Sequence, residues 1–118
     1  LDRHLDRLAA TASYFGYDFE ETAIRLKLAN FASTLPAEAQ KVRLLLDRDG
    51  EMTLQTAPAG SVKAVLVGPA KGALSSDNVF LYHKTTNRSV YEQARLSRPD
   101  VDEVLLWNER KYRRAIGR

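Results

Sequence analysis

Two stretches in which similar side chains recur at every second position flank one short turn. They indicate a β-hairpin near the middle of the chain. Large apolar side chains recur at every second position through residues 42–46, and Met52, Leu54 and Thr56 repeat the spacing. Such alternation is typical of strands with one buried face. Asp47-Arg48-Asp49-Gly50 separates the two stretches, and its Asp and Gly residues favour a tight turn. The fold must therefore contain this antiparallel pair.

Two amphipathic helices are predicted before the hairpin. Their apolar residues recur at steps of four and three, first as Leu1, Leu5, Leu8, Ala12 and Phe15, then as Ile24, Leu28, Phe31 and Leu35. Gly16 supplies a stop for the first helix. Asp18, with Glu21 three residues later, predicts the start of the second, and Pro36 ends it. We expect the two helices to pack as an antiparallel pair on the sheet.

The second half of the chain predicts a mixed succession of elements. A third strand is expected at Val62–Val67, and the stretch 69–78, rich in small and polar residues, is typical of a linker. A short extended segment at Val79–Tyr82, a helix from about Thr86 to Leu96 and a strand at Val104–Trp107 should follow.

The composition excludes several classes of protein. Cysteine is absent, which excludes disulfides and thiolate metal sites and fits a reducing cytoplasm. The two histidines, His4 and His83, have no ligand spacing, so no metal site is predicted. No apolar run approaches the roughly 18 residues that a membrane span needs, and no signal segment opens the chain. We expect a soluble, cytoplasmic protein without a membrane partner.

The positive charge is confined to the end of the chain. The formal net charge is +3 and the isoelectric point is near 9.3. Five positive charges follow residue 109 without an acid among them: Arg110, Lys111, Arg113, Arg114 and Arg118. The preceding residues are therefore net acidic. A basic tail of this kind predicts a solvated or disordered end, and no nucleic-acid partner is expected.

One segment carries a specific resemblance to a known family. Residues 81–92 read Leu81-Tyr82-His83-Lys84-Thr85-Thr86-Asn87-Arg88-Ser89-Val90-Tyr91-Glu92. They closely resemble the lysine segment of fold-type IV pyridoxal-phosphate enzymes, above all the aminodeoxychorismate lyases, including those fused behind a chorismate-binding synthase domain. Flanking segments match in the same order, at residues 4–8, 42–44 with 49–50, and 102–109. The resemblance extends from residue 1 to about residue 110, the middle of a full-length family member.

The resemblance implies an α+β fold of the D-amino-acid aminotransferase-like type. A two-layer small domain, with two helices packed on an antiparallel sheet, is followed by the beginning of a larger α/β domain. The implied boundaries are 1–68 for the small domain without its first strands, 69–78 for the linker and 79–118 for the start of the cofactor-binding domain. The chain begins at Leu1 within a predicted helix, so we expect further residues upstream in the parent protein.

The resemblance also implies three cofactor-binding residues. Lys84 would attach covalently to pyridoxal 5'-phosphate and act as the catalytic base after the substrate amine displaces it. That amine must be neutral to accept a proton, and desolvation favours the neutral form of a lysine. Arg7 would hold the phosphate with its always charged guanidinium, and Arg88, next to Asn87, would line the hydroxyl side of the cofactor. Without the motif, Lys84 and Arg7 are ordinary solvated residues.

Three further side chains, two of them near Lys84 in the sequence, are not assigned a role in binding the cofactor. Tyr82 and His83 are expected to pack beside the lysine and not to take part in the chemistry. Arg43 is expected on the outer face of its strand, although some relatives place an arginine there near the substrate.

The resemblance breaks after the strand that ends near Trp107. Family members continue into a turn and a glutamate that pairs with the pyridine nitrogen of the cofactor, whereas this chain reads Lys111-Tyr112-Arg113-Arg114-Ala115. An acid at that nitrogen keeps it protonated, so the ring can accept electrons from the substrate carbanion. Its absence predicts weakened or lost activity. Unpaired strand edges in a partial domain also predict pairing with a second copy.

Two enzymatic functions and one noncatalytic function remain open. A lyase would eliminate pyruvate from aminodeoxychorismate and leave 4-aminobenzoate for folate synthesis; the position of Arg88 favours this function. A transaminase of the same fold would act on branched-chain or D-amino acids. Both imply a small-molecule substrate, a homo-oligomer and, for the lyase, a fused or associated synthase domain. The third is an oligomeric or partner-binding remnant without chemistry, which the absent glutamate and the basic tail favour.

Overall fold

The computed structural model describes residues 1–61, 63–111 and 113–115, the last three by their backbone only. It divides into two compact units, Leu1–Ser61 and Val62–Arg118, and each is described by itself. The first unit contains α1 (Asp2–Phe15), α2 (Glu21–Ala32), β1 (Gln40–Leu46) and β2 (Met52–Pro58). The second contains β3 (Val67–Pro69), a 3-10 turn (Val79–Leu81), α3 (Ser89–Leu96), β4 (Glu103–Trp107) and β5 (Arg113–Ala115). Within the described part of the chain, no helix is long and apolar enough to cross a bilayer.

Helix α1 follows the predicted apolar stripe. Leu5 and Ala12 are buried, with 3% and 2% of their surface exposed, whereas Leu1 before the helix is 65% exposed. Gly16 ends the helix in the left-handed conformation at φ 68°; its own amide donates to the Ser13 carbonyl, and the Tyr17 amide donates to the Ala12 carbonyl. The stop predicted at Gly16 is therefore confirmed, because this geometry strains any residue with a Cβ.

Helix α2 begins later than the sequence predicted. Glu20 is its cap, and the Glu20 carboxylate accepts a hydrogen bond of 3.1 Å from the backbone amide of Thr22. The start predicted at Asp18 was wrong, because the Asp18 backbone amide instead donates to the Arg48 carbonyl in the hairpin turn, at 3.0 Å. Ile24 is the buried residue of this helix, with 1% of its surface exposed.

The hairpin has the predicted position and register. Gln40 to Leu46 pair with Pro58 to Met52 in antiparallel order, which confirms the predicted hairpin. The buried face predicted from the alternation was wrong for the start of β1, where Val42 is 41% exposed. The Asp47 carboxylate accepts from the amides of Asp49 and Glu51, at 3.1 and 2.9 Å, and Gly50 takes φ 79°. A side-chain bond across the turn and a glycine with positive φ together close the loop.

Polar contacts join the helical part of the first unit to its hairpin and the two helices to each other. The Lys27 ammonium on α2 donates to the Met52 carbonyl at 2.5 Å, and the Arg48 guanidinium lies 5.5 Å from the centre of the Tyr17 ring. Arg25 on α2 also pairs with Asp2 on α1 at 2.7 Å. The first unit is thus the predicted α+β arrangement of two helices with an antiparallel pair.

The second unit contains a three-stranded sheet in the order β3–β4–β5. β3 pairs with β4 in parallel and β4 pairs with β5 in antiparallel orientation. The third strand was predicted at Val62–Val67, but β3 begins only at Val67. At Leu66 the amide donates to the Asp102 carboxylate at 2.8 Å and the carbonyl accepts from the amides of Asp102 and Glu103. These contacts with the start of β4 set where the strand begins.

Helix α3 covers this sheet and connects its parallel strands. The core of the second unit consists of Ala70, Ala94, Val104 and Leu106, with Leu74, Tyr91, Val101 and Trp107 packed against it. The crossover from β3 through α3 to β4 is the arrangement that a parallel strand pair requires. The strand predicted at Val104–Trp107 is confirmed, with one more residue at its start.

Arg98 fastens the end of α3 to the start of the sheet. Its guanidinium binds the Asp100 carboxylate through two hydrogen bonds of 2.8 Å and donates a third of 2.8 Å to the Pro69 carbonyl. A Cβ added at Gly68 would lie 2.8 Å from the nearer Arg98 nitrogen. A glycine is therefore required for Arg98 to pass this close to the strand.

The basic tail departs from its prediction in part. A solvated or disordered end was expected after Glu109, but the backbone of Arg113–Ala115 forms β5 and pairs with Trp107 to Leu105. Its backbone groups therefore satisfy the open edge of β4. Tyr112 and residues 116–118 lie outside the described residues.

Candidate functional site

Lys84 lies in an irregular segment between the 3-10 turn and α3. Its side chain is exposed. Within the described residues, its amine forms neither a hydrogen bond nor an ion pair. An unengaged primary amine on a surface segment is accessible to a carbonyl reagent, which is the property that covalent attachment of an aldehyde requires.

The segment before Lys84 is fixed by its own polar side chains. The Asn78 side chain accepts from the Phe80 amide at 3.0 Å and starts the 3-10 turn. The Tyr82 hydroxyl then donates to the Ser76 carbonyl at 2.6 Å. The sequence predicted an extended stretch at Val79–Tyr82; this was wrong, because the Asn78 cap favours a turn.

The segment after Lys84 is fixed in the same way. The Thr85 hydroxyl accepts from the Asn87 amide at 3.2 Å, and the Asn87 carboxamide accepts from the Ser89 hydroxyl at 3.0 Å and the Ser89 amide at 3.4 Å. These local bonds compete with helical ones. They explain why α3 begins at Ser89 and not near Thr86 as predicted.

Arg88 is half-buried and immediately precedes α3. Its guanidinium lies 5.2 Å from the centre of the Tyr91 ring, a distance at which a cation is attracted to an aromatic face. The Tyr91 hydroxyl donates to the Phe80 carbonyl at 3.2 Å. Lys84 and Arg88 therefore belong to one segment, which Tyr91 joins to the 3-10 turn.

The other predicted site residues lie in the first unit. Arg7 is an exposed residue of α1, and Arg43 is an exposed residue of β1 opposite Gln55. The exposure of Arg43 agrees with the outer-face position expected for it. The role of Arg7 at a phosphate stays a prediction.

Glu109 is a residue near this segment that sequence reasoning did not select. Its carboxylate accepts from the Ser76 amide at 2.9 Å and from the Ser76 hydroxyl. The hydrogen bond from the Ser76 side chain lowers the pKa of the Glu109 carboxyl below its usual value, because these donors stabilise the charged form. No sequence spacing signals the pair, since the two residues are far apart in the chain.

The described residues do not assemble a metal site. No group of three or more His, Cys, Asp and Glu side chains among them could hold a metal ion.

The fold agrees with a family comparison. The chain belongs to the amino-transferase class IV family, whose model matches residues 1–113. That family is generally dependent on pyridoxal phosphate and implies a small-molecule substrate. The predicted relationship to fold-type IV enzymes is confirmed at this level.

A solved structure gives a closer comparison. The chain is 34% identical to a crystal structure described as a "putative amino-acid aminotransferase" from Mesorhizobium loti, with a TM-score of 0.77. The match covers 92% of this chain and 55% of that one, so this chain spans about half the length of that protein. No match was found among curated proteins.

Proposed function

We propose that this chain carries the cofactor-binding lysine of a pyridoxal-phosphate enzyme and that Lys84 is that lysine. The observation that carries the proposal is its exposed, unengaged amine within a segment whose neighbours on both sides are hydrogen-bonded. In the proposed role, Lys84 would hold the cofactor covalently through its side-chain nitrogen.

Several residues fit such a cofactor. Arg7 is exposed and, within the described part of the chain, has no ion-pair partner, so its permanent charge is free to hold a phosphate. The Arg88 guanidinium lies over the Tyr91 ring beside the lysine segment. When bound, the cofactor supplies an electron sink for the substrate carbanion.

The favoured reaction is elimination of pyruvate from aminodeoxychorismate, which leaves 4-aminobenzoate. The resemblance of residues 81–92 to the lyase motif supports it. In this reaction Lys84, once released by the substrate amine, would take up and return protons beside the substrate's alpha carbon. The sequence 111–115 contains no acid, so the pyridine nitrogen would lack the carboxylate partner that the family provides. We therefore expect covalent attachment to be retained and turnover to be weak.

Amino-acid transamination is the second candidate. The 34% identity to the protein described as an amino-acid aminotransferase favours it. Lys84 would move protons in both reactions, so the lysine segment alone does not distinguish them.

Cofactor attachment is tested by trapping. The chain is incubated with pyridoxal phosphate and reduced with borohydride, and the peptides are mapped by mass spectrometry. We expect a pyridoxyl group on Lys84 in the unchanged chain and its loss in Lys84→Ala. Lys71→Ala is the matched control, because Lys71 is also an exposed lysine of the second unit. Labelling spread equally over Lys71 and Lys84 would contradict the proposal.

The two reactions are separated by product. Pyruvate released from aminodeoxychorismate without an added keto acid supports the lyase, and amino-group transfer that requires a keto acid supports the aminotransferase. A stable oligomer in light scattering that takes up no cofactor would favour the noncatalytic remnant instead. The homo-oligomer, the fused synthase domain and the domain limits 1–68, 69–78 and 79–118 remain proposals that rest on the resemblance. The cytoplasmic location remains a proposal that rests on the absence of cysteine.

A further inference from the structure

The segment that precedes the 3-10 turn is attached along the edge of β4. The Ala70 amide donates to the Leu105 carbonyl at 2.9 Å, and the Leu74 amide donates to the Trp107 carbonyl at 2.8 Å. The Trp107 indole returns a hydrogen bond of 2.8 Å to the Ala70 carbonyl. Residues 70–74 are therefore fixed to the most buried strand of the second unit, where Val104 and Leu106 are 1% and 2% exposed.

The attachment continues beyond the strand through side chains. Glu109, just after β4, accepts two hydrogen bonds from Ser76, and the Ser76 carbonyl accepts one from the Tyr82 hydroxyl at 2.6 Å. We call Glu109, Ser76 and Tyr82 the tyrosine clamp. It joins the end of β4 to a residue two positions before Lys84. A bond to a carboxylate is stronger than one between neutral groups.

Tyr82 has no packing reason to hold this position. Its side chain is 61% exposed. The hydrogen bond of the Tyr82 hydroxyl, and not burial of the ring, therefore holds the side chain in this position. Tyr91 supports the other side, since its hydroxyl donates to the Phe80 carbonyl. The backbone that leads to Lys84 is thereby held from β4 and from α3.

We propose that Tyr82 and Glu109 are positioning residues for Lys84 and act through the tyrosine clamp, an inference that rests on the proposed function. Sequence reasoning assigned Tyr82 to packing and did not select Glu109. The clamp keeps the Lys84 amine in one region relative to the sheet, so less conformational freedom is lost when the amine forms a covalent bond.

The first test uses the cofactor-free chain, so it does not depend on the proposed function. Hydrogen exchange is measured for peptides that cover residues 82–88 in the unchanged chain, Tyr82→Phe and Glu109→Gln. Losing one hydrogen bond of the clamp should accelerate exchange there by about fivefold, whereas peptides from α1 should be unaffected. Tyr17→Phe and Glu92→Gln are matched controls that remove a hydroxyl and a carboxylate elsewhere. Unchanged exchange at residues 82–88 in both clamp variants would overturn the inference.

The second test measures selectivity in the same variants. Borohydride trapping with pyridoxal phosphate gives the ratio of label on Lys84 to label on Lys71 within each molecule. We expect the ratio to fall by about fivefold in Tyr82→Phe, because one hydrogen bond of the clamp is lost. A general loss of structure would instead change the label on both lysines together. An unchanged ratio would contradict the positioning role of Tyr82 but would not affect the proposed function of Lys84. No label on Lys84 in the unchanged chain sinks the proposed function, whatever the exchange result.

A third variant guards against misfolding. Ser76→Ala removes the hydroxyl donor to Glu109 but keeps the Ser76 carbonyl that Tyr82 binds. We expect an intermediate acceleration of exchange at residues 82–88. If Ser76→Ala accelerated hydrogen exchange equally in α1 and at residues 82–88, the variant would be globally destabilised. That result would contradict a local clamp.

Discussion

Lys111 has an unusual backbone for a lysine. It takes φ 62°, the one positive value for a non-glycine residue among those that the structure describes. It closes the turn between β4 and β5, where its amide donates to the Asn108 carbonyl at 2.8 Å and the Asn108 side chain accepts from the Arg110 amide at 3.1 Å. The left-handed region costs an ordinary residue roughly 1–2 kcal/mol, so the turn holds Lys111 in place at the expense of stability.

Lys111→Gly should therefore stabilise the chain. Relief of the left-handed strain exceeds the added entropy of glycine in the unfolded chain, and we expect the free energy of unfolding to rise by about 0.5–1 kcal/mol. Urea denaturation measures the change. Lys111→Ala removes the same charge but keeps a Cβ, so it should give no such gain. Equal effects of the two substitutions would show that charge and not backbone strain is responsible.

Gly68 and Arg98 form a pair that depends on the missing Cβ. Gly68→Ala should displace the Arg98 guanidinium, which lies 2.8 Å from the position of the new atom. We expect a loss of about 1–2 kcal/mol in the free energy of unfolding, from the hydrogen bonds that Arg98 gives up. The same substitution made in an Arg98→Ala background should cost much less. Gly72→Ala is the control, because nothing lies within 4 Å of a Cβ there.

At the scale of single elements, the beginnings of α2 and α3 are set by hydrogen bonds between side chains and the backbone. α2 is capped by Glu20, and the Asn87 side chain binds Ser89 at the start of α3. Both helices start later than the sequence predicted. The reason is that nearby polar groups hold the preceding residues in other hydrogen bonds.

Glu20→Ala should destabilise the chain by about 0.5–1 kcal/mol through the loss of the α2 cap. Asp18→Asn should change little, because Asp18 donates its hydrogen bond to the Arg48 carbonyl from its backbone amide, which the substitution keeps. Thermal unfolding of both variants measures the difference. The opposite order would mean that Asp18 caps the helix after all.

The link between α3 and β4 should give the chain a specific acid sensitivity. Hydrogen bonds from Arg98 lower the pKa of Asp100 from 3.8 to about 2. Because the folded state favours the charged carboxylate, this contribution is complete above the ordinary pKa and is lost as the pH falls toward 2. We expect the urea midpoint to fall more steeply below pH 4 in the unchanged chain than in Asp100→Asn. Asp77→Asn, at an exposed aspartate without an ion pair among the described residues, should leave the slope unchanged.

At the scale of the whole molecule, the chain consists of two compact units that meet in sequence between Ser61 and Val62. The sequence instead places a linker at 69–78. In the structure, Ala70 and Leu74 within that stretch donate backbone hydrogen bonds to β4. Lys63, in contrast, is exposed and lies outside any helix or strand.

Limited trypsin digestion distinguishes the two boundaries. We expect the first cut after Lys63 and a slower cut after Lys71, because a protease needs several residues of unpaired backbone. Lys63→Gln should delay the first cut, and Lys71→Gln should not. A first cut after Lys71 would support the linker at 69–78.

The sequence alone determined the features that depend on a few neighbouring residues. These are the hairpin at residues 40–58, the end of α1 at Gly16 and the strand before Trp107, where periodicity and turn chemistry act locally. The same holds for Lys84, which a continuous motif identified as a candidate. The tertiary structure decided the start of β3, which Asp102 sets, and the pairing of β5 with β4. It also decided the clamp between Glu109 and Tyr82, because hydrogen bonds between distant residues exist only once the chain has folded.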